Sequence, residues 1–135
     1  MAFVLDCSVV ITWILPDEGR HRVAALLERL ASEGAVVPEG WSLEVANALL
    51  VAQRRGRLTE KDVERALEDL AALPIDVDQE THRQALNATL SLANKYKLSS
   101  YDAAYLELAR RTRLPLATLD KKLRSACKAA GVELL

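Results

Sequence analysis

The sequence predicts an α/β fold around a mostly parallel sheet covered on both faces, and three observations carry that reading. Short apolar runs such as Phe3-Val4-Leu5, Ala35-Val36-Val37 and Leu116-Ala117-Thr118-Leu119 are bounded by acids, glycine or proline, as buried strands are. Longer segments between them repeat apolar residues at helical spacing. The chain has 135 residues, 50% of them apolar, about one domain's worth of sequence with a substantial core, so we expect one domain over residues 1–135.

Taken in order, the first strand stops on Asp6, and Ser8 to Leu15 predicts a short apolar helix closed by the turn chemistry of Pro16-Asp17-Glu18-Gly19. From Arg20 to Ser32, Val23, Leu26, Leu27, Leu30 and Ala31 form one apolar stripe, and Gly34 stops the helix. Pro38 ends the strand at residues 35–37. The helix from Trp41 to about Arg54 is apolar over most of its circumference, which predicts burial on several sides or a subunit contact. Thr59 with Asp62 opens another amphipathic helix as a capping box, with Pro74 just beyond its end. Ile75-Asp76-Val77 predicts a short edge strand, followed by one long helix from about Gln79 to Lys95, a break at Ser99-Ser100, and a helix from Tyr101 to about Thr112. The strand at 114–120 ends on Asp120. A last helix runs from Lys121 to Ala130, and Val132-Glu133-Leu134 predicts a final strand.

Composition narrows the function. A formal charge of -1 at pH 7 argues against coating nucleic acid by bulk positive charge, since that mode replaces counterions on many phosphates with Lys and Arg. Cys7 and Cys127 are the only two thiols and read as small buried apolar groups rather than a disulfide, which with the lack of a signal-peptide pattern predicts a cytoplasmic protein. No apolar run approaches the roughly 18 residues of a membrane helix.

Four acids carry the chemistry. In open parallel sheets the ligand site lies beyond the carboxyl ends of the strands, where strand order reverses. Asp6 and Asp120 each end a strand, and Glu44 and Asp102 each stand in the first turn of a helix that follows one. Singly, each has a structural explanation: Asp6 and Asp120 as helix caps, Ser99 with Asp102 as a capping box, Glu44 as a complement to the helix dipole. Together they predict a crowd of negative charge. Two such charges ~4 Å apart repel by about 4 kcal/mol at an effective dielectric near 20, so a cluster calls for a cation or shared protons. Oxygen donors without His or Cys favour Mg²⁺ or Mn²⁺ over zinc.

At these residues the sequence resembles the PIN domain family and, more narrowly, the VapC toxins of toxin-antitoxin pairs. The matching pieces are Val4-Leu5-Asp6-Cys7-Ser8, Glu44-Val45-Ala46-Asn47, Tyr101-Asp102-Ala103-Ala104-Tyr105, and Ala117-Thr118-Leu119-Asp120-Lys121-Lys122-Leu123. Their order and spacing span nearly the whole chain, with no departure at the acidic positions. The resemblance implies a three-layer α/β/α fold and a Mg²⁺- or Mn²⁺-dependent endoribonuclease. Its acidic site would be Asp6, Glu44, Asp102 and Asp120, with Asp6 and Asp102 foremost as direct ligands and Glu44 or Asp120 as the acceptor of a proton from water. It also implies an RNA substrate, an antitoxin protein whose tail occupies the groove, and a homodimer. Ser8, Thr118 and Asn47 are candidates for orienting the ligands, and read equally well as caps and a helix-face amide. Lys121, Lys122 and Arg124 directly follow Asp120 and are the stronger candidate for a phosphate-holding rim; Arg54, Arg55 and Arg57 are the weaker.

Other readings stay in view. A PIN nuclease of RNA processing outside a toxin pair fits the same residues, and a non-catalytic PIN-like binding module has no need to crowd four acids. A haloacid-dehalogenase phosphatase needs a second Asp where Ser8 stands, and a receiver domain needs adjacent acids and a late lysine that are missing in the right order. Asp76 and Asp78 read as solvated turn acids, His21 and His82 as surface residues, and Trp13 and Trp41 as core.

Overall fold

Strand β1 (Phe3–Leu5) is flanked on one side by β2 (Ala35–Val37) and on the other by β4 (Leu116–Ala117), with β3 (Ile75–Val77) beyond β2 at the edge. The structure is a computed structural model describing residues 1–16 and 19–135. The expected turn at Pro16 to Gly19 includes Asp17 and Glu18, which lie outside the described residues. All three ladders are parallel, and Val4 pairs with both Val36 and Leu116. Phe3, Val4 and Leu5 are completely buried, which explains their uninterrupted apolar run: a central strand covered on both faces has no solvent side to make polar.

The helices are α1 (Cys7–Ile14), α2 (Arg20–Glu33), α3 (Trp41–Arg54), α4 (Glu60–Ala71), α5 (Thr81–Gln84), α6 (Leu90–Tyr96), α7 (Ser100–Thr112) and α8 (Lys121–Ala130). One group builds α1 against α2 and α3; the other builds α7 against β1, β4, α6 and α8. The result is a three-layer α/β/α arrangement. Local chemistry sets the boundaries. Thr59 and Asp62 form the expected capping box on α4, and Gly34 leaves α2 at φ +80°, where an added Cβ would meet the Pro74 carbonyl at 3.2 Å. Only glycine suits that turn into β2.

Several expectations are corrected. The single helix over 79–95 is broken: α5 and α6 are joined by a π-helical stretch, Ala85–Thr89, with Asn87 at φ -129°, ψ -105°. A π turn adds a residue to one winding and so resets which side chains face inward. Thr89 and Leu92 are buried, while Leu86 is 88% exposed and Leu90 is half exposed. The strand expected over 114–120 is regular only at Leu116–Ala117, directly after Pro115. The final strand at 132–134 reduces to one parallel bridge between Leu116 and Leu134. Helix α3 buries one stripe, Trp41, Val45, Leu49 and Ala52, and leaves Leu43 and Leu50 exposed, so it is not enclosed on several sides.

Asp76 is exposed as expected, but Asp78 is no solvated turn acid: it is nearly buried and ion-paired to Arg111 at 2.7 Å. Trp41 is core and Trp13 packs against it. His21 is exposed, and the exposed His82 pairs with Glu39. Both cysteines are free. Among the described residues no helix is long and apolar enough to cross a membrane.

Candidate active site

The strand order reverses at β1. The chain steps outward from β1 to β2 and β3, then returns to place β4 on the other side, so the crevice between the carboxyl ends of β1 and β4 is where a parallel sheet of this kind opens to a ligand. Asp6 follows β1 there, and Thr118, Leu119 and Asp120 follow β4. The Asp6 N–H donates to the Ala117 carbonyl at 3.0 Å, continuing the ladder to the last residue before α1.

Asp6 is the hub. It stands at the N-cap of α1 but its side chain makes no capping bond. Instead Oδ2 accepts two hydroxyl donors, Ser8 Oγ and Thr118 Oγ1, each at 2.6 Å. Each hydroxyl is itself held: the Leu119 N–H donates to Ser8 Oγ and the Asp120 N–H to Thr118 Oγ1, both at 3.1 Å. A hydroxyl has one proton to give and lone pairs to accept, so the loop after β4 dictates that both protons point at Asp6. Of the three residues expected from sequence to orient a ligand, Ser8 and Thr118 therefore bind the same carboxylate. Arg124 braces the loop by donating to the Thr118 carbonyl at 2.9 Å, which ties up one arm of a residue expected on the rim.

The other acids surround Asp6 at increasing exposure. Glu44, in the first turn of α3, is half-buried and accepts from the Tyr105 hydroxyl at 3.0 Å. Asp102, in the first turn of α7, gives its N–H to the N-cap hydroxyl of Ser99 at 3.1 Å. Asp120 is exposed and caps α8, accepting from the Leu123 N–H at 3.0 Å. So the capping reading holds for Asp120 and not for Asp6.

Electrostatics tie the four together. Burial, then the charges of Asp6 and Asp102, push the Glu44 carboxyl above its ordinary range, although the Tyr105 hydrogen bond opposes them. Burial, then Asp120 and Asp6, push Asp102 up, against the opposing pull of Ser99 and Lys122. Burial with Glu44 and Asp6 nearby raises the Cys7 thiol to about 12, so it stays protonated and unreactive. Among the described residues no three His, Cys, Asp or Glu side chains close on a single point as a preformed cage. The donor set is oxygen only and still repulsive, which fits a hard cation that keeps several waters and uses one or two carboxylates.

These shifts predict a pH-dependent stability. A carboxyl whose pKa is raised in the folded state favours folding below its unfolded value, 3.8 for Asp102 and 4.5 for Glu44, and that contribution is lost as pH rises through the folded value. At neutral pH the ion-free protein therefore carries a penalty. Glu44→Gln and Asp102→Asn should each raise its melting temperature at pH 7 by a few degrees, and the gain should vanish below about pH 4. Thermal melts at both pH values check this.

The remaining candidates lie around this centre. Lys121 and Lys122 are exposed at the start of α8, beside Asp120. Arg54 lies ten residues beyond Glu44, about 15 Å along α3, so the cluster of Arg54, Arg55 and Arg57 stands well away. Asn47 has no hydrogen-bond partner among the described residues; it lines a groove of about 590 Å³ with Glu44, Leu43, Thr89 and Tyr101. Tyr105 is the residue that sequence reasoning missed as part of the site.

Comparison with known proteins agrees with this architecture. Over 91% of the chain and 92% of the relative, the sequence is 30% identical to a protein named Ribonuclease VapC3 of Pyrobaculum aerophilum. It is 33% identical to a Ribonuclease VapC3 of Mycobacterium tuberculosis, over 94% of the chain and 88% of the relative. The crystal structure of PAE2754 from Pyrobaculum aerophilum superposes with a TM-score of 0.68 at 21% identity, covering 93% of this chain and 86% of that one, and so shares the fold. The model of the PIN domain matches residues 3–129, and the chain belongs to the PIN domain family.

Proposed function

We propose that the protein is a Mg²⁺- or Mn²⁺-dependent endoribonuclease that acts as the toxin of a toxin-antitoxin pair. The observation that carries this reading is the Asp6-centred group of acids in the crevice between β1 and β4, where Glu44 and Asp102 are both pushed toward protonation in part by neighbouring negative charge. The names of the relatives support RNA as substrate.

Asp6 and Asp102 would hold the cation, with Glu44 and Asp120 completing the acidic wall. When bound, a divalent ion lowers the pKa of water and offsets charge developing on a phosphate. The residues do the rest. Ser8 and Thr118 keep Oδ2 of Asp6 fixed by hydrogen bonds, so its other oxygen is presented in one orientation. Glu44 or Asp120 accepts the proton of the attacking water. Lys121 and Lys122 attract the phosphate backbone to the open side of the crevice.

A small antitoxin protein as partner, a homodimeric state and a cytoplasmic location belong to the same reading. The exposed Leu43, Leu86 and Tyr101 support a protein contact, for which the oligomeric state in solution is the check. To test the function, purified protein is incubated with total RNA in Mg²⁺, in Mn²⁺ and in chelator. Cleavage should require the ion. Cleavage that persists in chelator overturns the metal requirement, and binding without cleavage in every arm favours the non-catalytic module.

A further inference from the structure

Tyr105 joins the two sides of the crevice. It stands on α7 one turn after Asp102, its side chain wholly buried as part of the hydrophobic core. At this depth a phenylalanine would fill the core equally well, and an unpaired hydroxyl would be costly. Here the hydroxyl is fully used: it donates to Glu44 Oε1 at 3.0 Å and lies 3.4 Å from the Cys7 N–H, which donates to it. A phenol has one proton. Giving it to Glu44 leaves the oxygen's lone pairs for Cys7, so the two bonds are mutually consistent.

The consequence is a relay across three elements. Cys7 directly follows Asp6 at the head of α1, Glu44 comes from α3, and Tyr105 reaches both from α7. Among the described residues Tyr105 is the only hydrogen-bond partner of the Glu44 side chain. Without it, a half-buried carboxylate in the field of Asp6 and Asp102 would swing away from its neighbours toward water. The phenol is held far above its ordinary ionisation range, chiefly by burial and then by Asp6 and Glu44, so it stays a donor at every working pH.

We propose that Tyr105 is a positioning residue that acts through Glu44: its hydroxyl locks that carboxylate and ties it to the backbone beside Asp6, so that the two acids keep one spacing. The proposal rests on reading these acids as the nuclease centre. It adds a specific role for a residue that touches neither ion nor substrate.

The test uses the full chain as wild type, Tyr105→Phe, Glu44→Gln and the double variant. Tyr105→Phe keeps the ring and should melt within a few degrees of wild type. Its kcat on a fluorogenic single-stranded oligoribonucleotide should fall roughly 10- to 100-fold with KM nearly unchanged, as for loss of a group that orients a ligand. Its apparent Mn²⁺ affinity, read by thermal shift, should fall similarly, and the double variant should bind Mn²⁺ no more weakly than Glu44→Gln alone. Additive losses overturn the route through Glu44. So does a loss of kcat that merely tracks a lowered melting temperature. A wild type that neither cleaves RNA nor binds Mn²⁺ removes the nuclease reading and this role with it, whereas an active wild type matched by Tyr105→Phe removes this role alone.

Discussion

Asp6→Asn should lower metal-dependent RNA cleavage by roughly two to three orders of magnitude, the effect of several kcal/mol of lost transition-state stabilisation, while the protein keeps its fold. The geometry separates those two outcomes. Asp6 is only 6% exposed and its Oδ2 receives the Ser8 and Thr118 hydroxyls. An Asn side-chain oxygen can still accept both, so the loop after β4 stays in place, but the negative charge is gone. Asp6→Ala is the informative contrast. It takes the acceptor from the buried Thr118 hydroxyl and the partly buried Ser8 hydroxyl and should cost about 1–3 kcal/mol in stability, measurable by urea denaturation. An Asp6→Asn protein that keeps a tenth or more of the activity would remove Asp6 from the centre of the mechanism.

The second large effect belongs to Arg111, far from any chemistry. Its guanidinium serves two acids: Nε and Nη2 donate to Glu107 at 2.7 and 3.0 Å, and Nη1 and Nη2 to Asp78 at 3.1 and 2.7 Å. The side chains of Glu107 and Asp78 are only 5% and 10% exposed, while that of Arg111 is 27% exposed. Burial alone would raise the Asp78 carboxyl, but the hydrogen bonds from Arg111 and Thr81 hold it below its ordinary range. Arg111→Met leaves two buried carboxylates without a cation and should destabilise the protein by about 3 kcal/mol, the low end for a broken buried pair because water reaches the guanidinium. The sign of the pH dependence follows. Asp78 stabilises the fold above its unfolded value of 3.8, and that stabilisation is lost as pH falls through the lower folded value, so wild type and variant should converge in strong acid. Arg111→Lys should recover only part of the loss, because an ammonium cannot reproduce the fork. Equal denaturation midpoints for wild type and Arg111→Met at pH 7 would show that the pair contributes nothing.

What the sequence makes legible is what local chemistry dictates. Strand β1 is a run of apolar residues stopped by an acid, and α4 is announced by its capping box. The placement of Asp6, Glu44, Asp102 and Asp120 at one edge follows from strand-end rules together with family resemblance. What is hidden depends on contacts between distant segments. The pairing of Arg111 with Asp78 spans 33 residues and leaves no periodic trace. Tyr105 reads as one more core residue because its ring is core; only its position one turn after Asp102 hinted that its hydroxyl faced the same crevice. The break at Ala85–Thr89 has neither glycine nor proline to mark it, and β4 is regular only at Leu116–Ala117 because residues 118–120 turn to the hydroxyl and carboxylate contacts of the crevice, which span more than a hundred residues.

The bond between Thr118 and Asp6 joins residues 112 positions apart, and the neighbouring strand pairing closes a loop of similar size. Long loops of this kind form late, since their closure entropy must be met before distant contacts can compensate. During synthesis the first strand and its acid leave the ribosome long before the hydroxyl that fixes them exists. A chain stopped short of Leu116 has Asp6, Glu44 and Asp102 but neither β4 nor Thr118. The crevice is therefore a product of the whole fold, and it stays incomplete in a growing chain until residues 116–118 have been made.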